Sequence, residues 1–175
     1  MKITELAIKG AFLIEREEFK DERGSMSVSY NKKELAEIGI DFEISQCNVS
    51  KNYKAGVLRG LHYQKEPFSE IKFVSCIRGA IFDVAVDFRE DSPTYLKYQG
   101  FELTESNNKA LYIPKGCLHG FQTLIDNTIV TYFNSQFYTP SHYAGVRWND
   151  PKINIEWPPC ENRTINERDR NYPLL

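Results

Sequence analysis

Short runs in which apolar and polar residues alternate make up most of this chain, and turn residues separate them. Alternation with a period of two is typical of strands with one buried face, and many short runs favour an antiparallel sandwich or barrel. The runs predict strands over residues 71–77, 80–88, 95–104, 110–113, 120–125 and 128–134. The expected fold class is therefore mainly β.

Two short turns are predicted between these strands. Arg78-Gly79 separates the first two strands, and this segment is a hairpin candidate because glycine accepts a positive φ without steric cost. Asp126-Asn127 separates the last two strands, and both side chains can hydrogen-bond to their own backbone. We expect the chain to reverse its direction at each position.

One helix is predicted near the N-terminus. Asn31 is suited to cap it, and Glu34 at the third helical position completes a box-like cap. Leu35 and Ile38 form a short apolar stripe, and Gly39 ends the helix. The rest of the pattern adds no second helix of this clarity.

The composition fits one folded domain that spans residues 1–175. The hydrophobic content of 41% and the aromatic content of 13% are enough for a sizeable core. The tail from Asn149 onward is rich in proline and polar residues, and we expect it to wrap the surface. No internal repeat, low-complexity tract or linker indicates a second domain.

The charge pattern argues against nucleic acid and membranes as partners. The 22 basic and 24 acidic residues are interspersed and give a net charge of -2, so no local field favours a polyanion. No apolar run approaches the ~18 residues that span a bilayer, and residues 1–5 lack the core of a signal peptide. The expected compartment is the cytoplasm. Reduced, structural cysteines are expected at Cys47, Cys76, Cys117 and Cys160.

The segment 59–64 places a guanidinium and an imidazole three residues apart, at Arg59 and His62. These side chains combine a phosphate binder with a base. On a regular strand the period of two would point them to opposite faces of the sheet. A shared pocket therefore requires a twist or a bulge near Gly60.

A second histidine, His119, lies in segment 113–121, where proline and glycine residues bend the backbone as at the mouth of a barrel. The histidine spacing argues against a metal. Gln64 stands where a second ligand after His62 would be expected, and His142 lies in a loop-like stretch. Two reliable ligands are one short of an ordinary catalytic site, so we expect no metal.

A metal-free pocket with these groups suits proton transfer beside a carbonyl. Such chemistry requires a base, a cation near the developing enolate oxygen, and an acid that returns the proton. Lys72 and Tyr132 are candidates for the cation and the acid. The alternative for each residue alone is structural: Lys72 extends from a strand edge, and Tyr132 packs in the core.

Together these motifs resemble the dTDP-4-dehydrorhamnose 3,5-epimerase family. The resemblance implies a jelly-roll, or double-stranded β-helix of the cupin class, with one or two short helices. It also implies cofactor-independent epimerisation, at C3, C5 or both, of a nucleotide-diphospho-4-keto-6-deoxy sugar in deoxysugar biosynthesis. The matching motifs lie at residues 21–24, 46–50, 56–64, 83–89, 92–94, 113–121, 148–151, 155–158 and 167–169.

The resemblance implies a role for each proton-handling residue. His62 would be the general base, and Asp169 would be the carboxylate partner that fixes its tautomer and raises its basicity. Lys72 would face the C4 oxygen. Tyr132 would be the acid on the opposite face of the sugar.

The resemblance also implies the binding residues and a homodimer. Arg59 and Arg23 of the partner subunit would hold the diphosphate, because forked guanidinium donors suit phosphate oxygens. The N-terminal segment would then be exchanged or packed across the dimer. The sugar pocket would be lined by Gln46, Asn48, His119 and Tyr138.

Some positions depart from the family pattern, and they leave the substrate open. Ser25, Met26, Ser27 and Val28 stand where the family commonly has aromatic residues and then a glutamate. Two acidic residues of the family are replaced, at positions 47 and 143, by cysteine and tyrosine. A ketoisomerase of a nucleotide-linked keto sugar and a non-catalytic sugar-binding jelly-roll remain the alternatives.

Overall fold

The computed structural model describes residues 1–175 and is built mainly from β-strands. Thirteen strands are joined by turns, two short α-helices and one turn of 3-10 helix at Pro140–His142. The strands are β1 Lys2–Glu5, β2 Phe12–Glu15, β3 Glu18–Asp21, β4 Gly24–Ser27, β5 Gln46–Asn52, β6 Leu58–Gln64, β7 Lys72–Arg78, β8 Ala80–Asp87, β9 Tyr98–Thr104, β10 Lys109–Ile113, β11 Cys117–Thr123, β12 Thr128–Asn134 and β13 Tyr143–Gly145. The helices are α1 Lys32–Glu37 and α2 Glu167–Arg170.

The strands form two antiparallel sheets. One sheet has six strands in the order β1-β2-β10-β7-β12-β5, and the other has five in the order β13-β6-β11-β8-β9. Strands β3 and β4 form a separate hairpin. The predicted mainly β, jelly-roll class is confirmed. No helix is both long enough and apolar enough to cross a membrane.

The main core joins the two sheets. It is a cluster of twelve buried side chains, in which Val74 and Leu111 from the six-stranded sheet accompany Ile81 and Phe121 from the five-stranded sheet. These are the inward positions of the alternating pattern. Burying each such side chain stabilises the fold by about 1.5–3 kcal/mol.

The hairpin predicted at Arg78-Gly79 is wrong. Strand β7 belongs to the six-stranded sheet and β8 to the five-stranded sheet, so the segment is a corner between sheets. Gly79 has a φ of 81°, and a Cβ there would lie 2.5 Å from the Thr128 hydroxyl oxygen. The turn expected at Asp126-Asn127 is present and likewise joins strands of different sheets, β11 and β12. Turn residues report a reversal of the chain but not the partner of the next strand.

The bulge expected near Gly60 is present. His119 on β11 pairs with His62 on β6, whereas Phe121 pairs with Arg59. Three residue steps on β6 thus match two on β11, which is the extra residue of a β-bulge. The bulge brings Arg59 and His62 to the same side of the sheet.

Helix α1 begins as predicted. The Asn31 side chain accepts hydrogen bonds from the backbone N–H groups of Lys33 and Glu34, and its amide donates to the Glu34 carboxylate at 2.6 Å. Leu35 is buried, but Ile38 is 42% exposed and lies at the C-cap. The predicted apolar stripe is therefore wrong at Ile38, because the helix ends at Glu37 before that position faces the core.

The C-terminal tail does more than wrap the surface. Thr164 forms an isolated bridge with Val57, and the Asn166 side chain caps α2 by accepting from the Asp169 N–H at 2.7 Å. Asp169 itself is fully buried. The tail therefore carries one carboxylate into the space beside β6. The cysteines are all free, with Cys76 and Cys117 buried.

Candidate active site

A cavity of about 310 Å³ lies between the two sheets and is lined mainly by polar side chains. Its size is at the lower end of the range for small-molecule pockets. It is the place where most of the candidate residues meet. The lining residues are Gln46, Asn48, Arg59, His62, Glu70, Lys72, His119, Phe121, Tyr132, Asn134, Tyr138, Tyr143, Asn166, Arg168 and Asp169.

The six-stranded sheet supplies one wall through the register of three strands. Tyr132 on β12 pairs with Asn48 on β5, and Asn134 pairs with both Gln46 on β5 and Lys72 on β7. Paired residues of antiparallel strands point to the same face. The register therefore places the lysine and the phenol on one wall of the cavity.

The five-stranded sheet supplies the opposite wall. Here the bulge in β6 allows Arg59 and His62 to line the cavity together with their cross-strand partners on β11, Phe121 and His119. The guanidinium of Arg59 donates to the Asn52 side-chain oxygen at 2.9 Å. A guanidinium and an imidazole thus share the wall that faces Lys72 and the phenol of Tyr132.

His62 forms a buried pair with a carboxylate. Its Nε2 lies 2.8 Å from Oδ1 of Asp169, at an angle too bent for a regular hydrogen bond. The other oxygen of Asp169 accepts from the backbone N–H of Gly60 at 3.0 Å, and Arg168 Nε lies 3.3 Å from Oδ1. The carboxylate is therefore held by Gly60 and Arg168 and lies against the ring of His62.

The two candidate proton carriers have pKa values that are shifted in opposite directions. Burial lowers the pKa of His62 to about 4, although the Asp169 carboxylate opposes this shift. Burial raises the pKa of Tyr132, against the opposing hydrogen bond of the Ser50 hydroxyl. Near pH 7 the imidazole is neutral and can accept a proton, while the phenol keeps one to donate.

His119 is bound to a second carboxylate. Its Nε2 lies 2.7 Å from Oδ1 of Asp83, which is fully buried on the neighbouring strand β8. Such a contact fixes the orientation of the ring. No group of three or more His, Cys, Asp or Glu side chains is placed to hold a metal ion.

Lys72 and Glu70 form an ion pair inside the cavity. The Lys72 Nζ lies 3.2 Å from a Glu70 carboxylate oxygen, and their side chains are 12% and 7% exposed. This is the one ion pair that Lys72 makes. The ammonium is thus available to a ligand in the cavity while keeping a counter-ion.

Polar and aromatic contacts form the rim of the cavity. The Gln46 side chain donates to Asn48 at 2.8 Å and accepts from the Tyr138 N–H at 3.0 Å. Tyr143 packs edge-on against Tyr138, with ring centroids 5.0 Å apart, and 5.1 Å from the ring of His62. Burial raises the pKa of Tyr143, so its hydroxyl remains protonated.

Comparison with known proteins identifies the family. The family model described as dTDP-4-dehydrorhamnose 3,5-epimerase matches residues 5–175. A dTDP-4-dehydrorhamnose 3,5-epimerase from Shigella flexneri is 42% identical over 172 residues, which covers 98% of this chain and 94% of that protein. The chain belongs to the dTDP-4-dehydrorhamnose 3,5-epimerase family.

Solved structures of epimerases agree with this assignment. The Bacillus anthracis str. Ames dTDP-4-dehydrorhamnose 3,5-epimerase, with TDP and PPi bound, has a TM-score of 0.96 and 42% identity and covers 99% of each chain. The Legionella pneumophila epimerase in complex with dTDP-4-keto-L-rhamnose has a TM-score of 0.95 and 35% identity and covers 99% of this chain and 92% of that one. The present chain is thus an isomerase of the epimerase class.

The cavity of this epimerase contains all but one of the site residues predicted from the sequence. Arg23 is the exception: it lies at the β3–β4 turn, where its side chain is 83% exposed and pairs with Asp21. Within a single subunit it does not line the cavity. The predicted residues that do are His62, Tyr132, Lys72, Asp169, Gln46, Asn48, Arg59, His119 and Tyr138.

Sequence reasoning missed several residues of the epimerase site. Glu70 lies two positions before Lys72, and Arg168 directly precedes Asp169, so proximity to a candidate was the available signal. Asp83 is found only when strand β8 is known to lie beside β11. The other lining residues without a predicted role are Phe121, Asn134, Tyr143 and Asn166.

Proposed function

We propose that the protein epimerises a dTDP-linked 4-keto-6-deoxy sugar at C3, C5 or both, without a metal or another cofactor. The observation that carries the proposal is the placement of a neutral base and a protonated acid on facing walls of one cavity. His62 lies on β6 and Tyr132 on β12, with pKa values shifted apart. The names of the relatives support a dTDP-sugar as the substrate.

The proposed reaction begins with removal of a proton from the carbon beside the ketone. His62 takes this proton, and because Asp169 contacts Nε2, the nitrogen left to receive it is Nδ1. The electron pair of the C–H bond forms a double bond to C4, and the π pair of the carbonyl moves to the C4 oxygen, where the ammonium of Lys72 stabilises the enolate. Tyr132 then donates its proton to the opposite face of the same carbon, which inverts the configuration. Exchange with water restores both side chains.

The binding roles follow the polarity of the cavity walls. Arg59 holds the diphosphate, since its fork of donors suits phosphate oxygens and it already lines the pocket. The sugar contacts His119 and the rim. There Gln46 holds Asn48 and the backbone of Tyr138 through its hydrogen bonds. In the Bacillus anthracis structure TDP and PPi are bound, which supports a nucleotide diphosphate as the handle.

We also propose that residues 1–175 form one domain that acts in the cytoplasm as a homodimer. The four free cysteines suit a reducing compartment. The β3–β4 hairpin carries exposed apolar side chains, Phe19 and Met26, directly opposite each other beside Arg23. Exposed apolar side chains on a projecting hairpin favour docking against a second subunit. Arg23 of the partner subunit would then complete the diphosphate site.

Mixing two defective variants tests this exchange of arms. A subunit with Arg23→Ala keeps His62, and a subunit with His62→Ala keeps Arg23, so each mixed dimer contains one intact site. Co-expression should restore about a quarter of the parent rate, because half of randomly formed dimers are mixed and have one working site of two. Lys20→Ala on the same hairpin should keep activity by itself. No recovery in the mixture, or a fully active monomer in sedimentation, would contradict the proposal.

Deuterium exchange tests the proposed reaction. In deuterated water, a panel of dTDP-, CDP-, GDP- and UDP-linked 4-keto-6-deoxy sugars is followed by NMR. We expect the fastest deuterium wash-in and inversion with a dTDP-sugar. Chelator treatment should leave this rate unchanged, because no cluster of metal ligands lines the cavity. Activity that is lost to the chelator and restored by zinc, iron or manganese would contradict metal independence. A product in which the carbonyl has moved along the sugar would indicate a ketoisomerase. Sugar binding without proton exchange would indicate a non-catalytic sugar-binding protein.

A further inference from the structure

A carboxylate without a role in the scheme above lies against the ammonium that stabilises the enolate. Glu70 and Lys72 are 3.2 Å apart, are both nearly buried, and both line the cavity. We propose that Glu70 is a positioning residue of the epimerase: it directs the Lys72 ammonium toward the ketone oxygen. This inference rests on the proposed function, because it acts through the role of Lys72.

The surroundings of Lys72 explain why a counter-ion is needed. Two guanidinium groups, Arg59 and Arg168, line the same cavity. Like charges repel, so these guanidinium groups favour positions of the Lys72 ammonium that point away from them. A misdirected ammonium would stabilise the enolate poorly. Glu70 is the one carboxylate in contact with Lys72, so it alone opposes these effects at contact distance.

The position of Glu70 in the chain supports a directing role. Lys72 is the first residue of β7 and pairs with Ile113 on one side and Asn134 on the other, which fixes its backbone. Its side chain is long and has many rotamers, so the strand alone does not fix the ammonium. The ion pair with Glu70, two residues earlier, supplies the missing restraint.

A carboxylate in this place also has an opposing effect on the reaction. It repels the negative charge that develops on the ketone oxygen, and if repulsion dominated, its removal would increase the rate. The proposal requires that the orientation of the Lys72 ammonium matters more than this repulsion. The sign of the change on removing the carboxylate therefore distinguishes the two effects.

Glu70→Gln is the primary test, because it removes the charge and keeps the shape. With the dTDP-sugar that the parent turns over, we expect the deuterium exchange rate at saturation to fall on the order of 10- to 100-fold, the range for a misplaced catalytic group. KM and dTDP affinity should change less than twofold, since the ketone in the ground state is uncharged. Glu70→Asp should recover part of the loss. Glu43→Gln, which removes an exposed partner of Lys32, is the matched control and should equal the parent.

Repeating the Glu70→Gln substitution in a variant that lacks the Lys72 ammonium separates a positioning role from a merely structural one. In Lys72→Met, adding Glu70→Gln should cause no further loss, because Glu70 has no ammonium left to direct. An equal loss in both backgrounds, or a parent-like or faster rate for Glu70→Gln, would overturn the inference while the proposed function stands. If the parent itself exchanges no proton into any sugar of the panel, the proposed function fails and the inference fails with it.

Discussion

Replacing His62 with alanine is expected to abolish both deuterium wash-in and product formation. The imidazole is the base in the proposed reaction, and its Nε2 lies 2.8 Å from Oδ1 of Asp169. Loss of a positioned base typically reduces a rate ~10²–10⁴-fold. Exchange and inversion both require the first proton to be removed, so both should fall together. NMR of the dTDP-sugar in deuterated water measures the two rates in one experiment.

The affinity for dTDP distinguishes loss of the base from loss of the fold. Arg59 is fixed by Asn52 at 2.9 Å and not by His62, so the diphosphate contact should survive in His62→Ala. His142→Ala is the matched control, because that histidine lies in the 3-10 helix outside the cavity and should keep the parent rate. Near-parental exchange by His62→Ala would show that the proposed mechanism is wrong.

Six of the thirteen strands, β7 to β12, were predictable from sequence because the alternation of apolar residues follows burial on one face. Residues 128–134 match β12 at both ends, and 80–88 match β8 to within one residue. The bulge at Gly60 was also predictable, since Arg59 and His62 could not otherwise face one pocket. In each case a local period carried the information.

The pairing of strands was not predictable from the same pattern. A turn such as Arg78-Gly79 fits a hairpin and a corner between sheets equally well, because both need a reversal and a positive φ. What decides between them is the packing of the two sheets against each other. That packing brings together residues that are distant in sequence, such as Ile81 and Val130, which both belong to the main core.

The residues of the candidate site also fall into a group that the sequence predicts and a group that it does not. His62, Lys72 and Tyr132 could be proposed as chemical groups, and resemblance to the family supplied most of their roles. Buried partners such as Asp83 and Glu70 were not predicted from the sequence, because the role of a carboxylate depends on contacts that the sequence does not show. Arg23 is the opposite case: its place in the family pattern is clear, yet within one subunit it pairs with Asp21.

Replacing Tyr132 with phenylalanine is expected to impair inversion more than exchange. Without the hydroxyl, the proposed acid on the β12 wall is lost, while His62, the proposed base on the β6 wall, can still remove a proton and return deuterium to the same face. Lys72 still stabilises the enolate in this variant. The substrate should therefore gain deuterium with retained configuration, and the epimer should form ~10²–10⁴-fold more slowly.

A second buried tyrosine provides the matched control for Tyr132→Phe. Tyr112 is buried in a second hydrophobic cluster, with Leu35 and Phe73, and does not line the cavity. Burial raises its pKa to about 12, so Tyr112→Phe removes a similar buried hydroxyl away from the substrate. That variant should keep both rates. If Tyr132→Phe lost exchange and inversion equally, the phenol would be required for the first step, and the separation of base and acid on facing walls would be wrong. If it kept both rates, another group would have to deliver the proton.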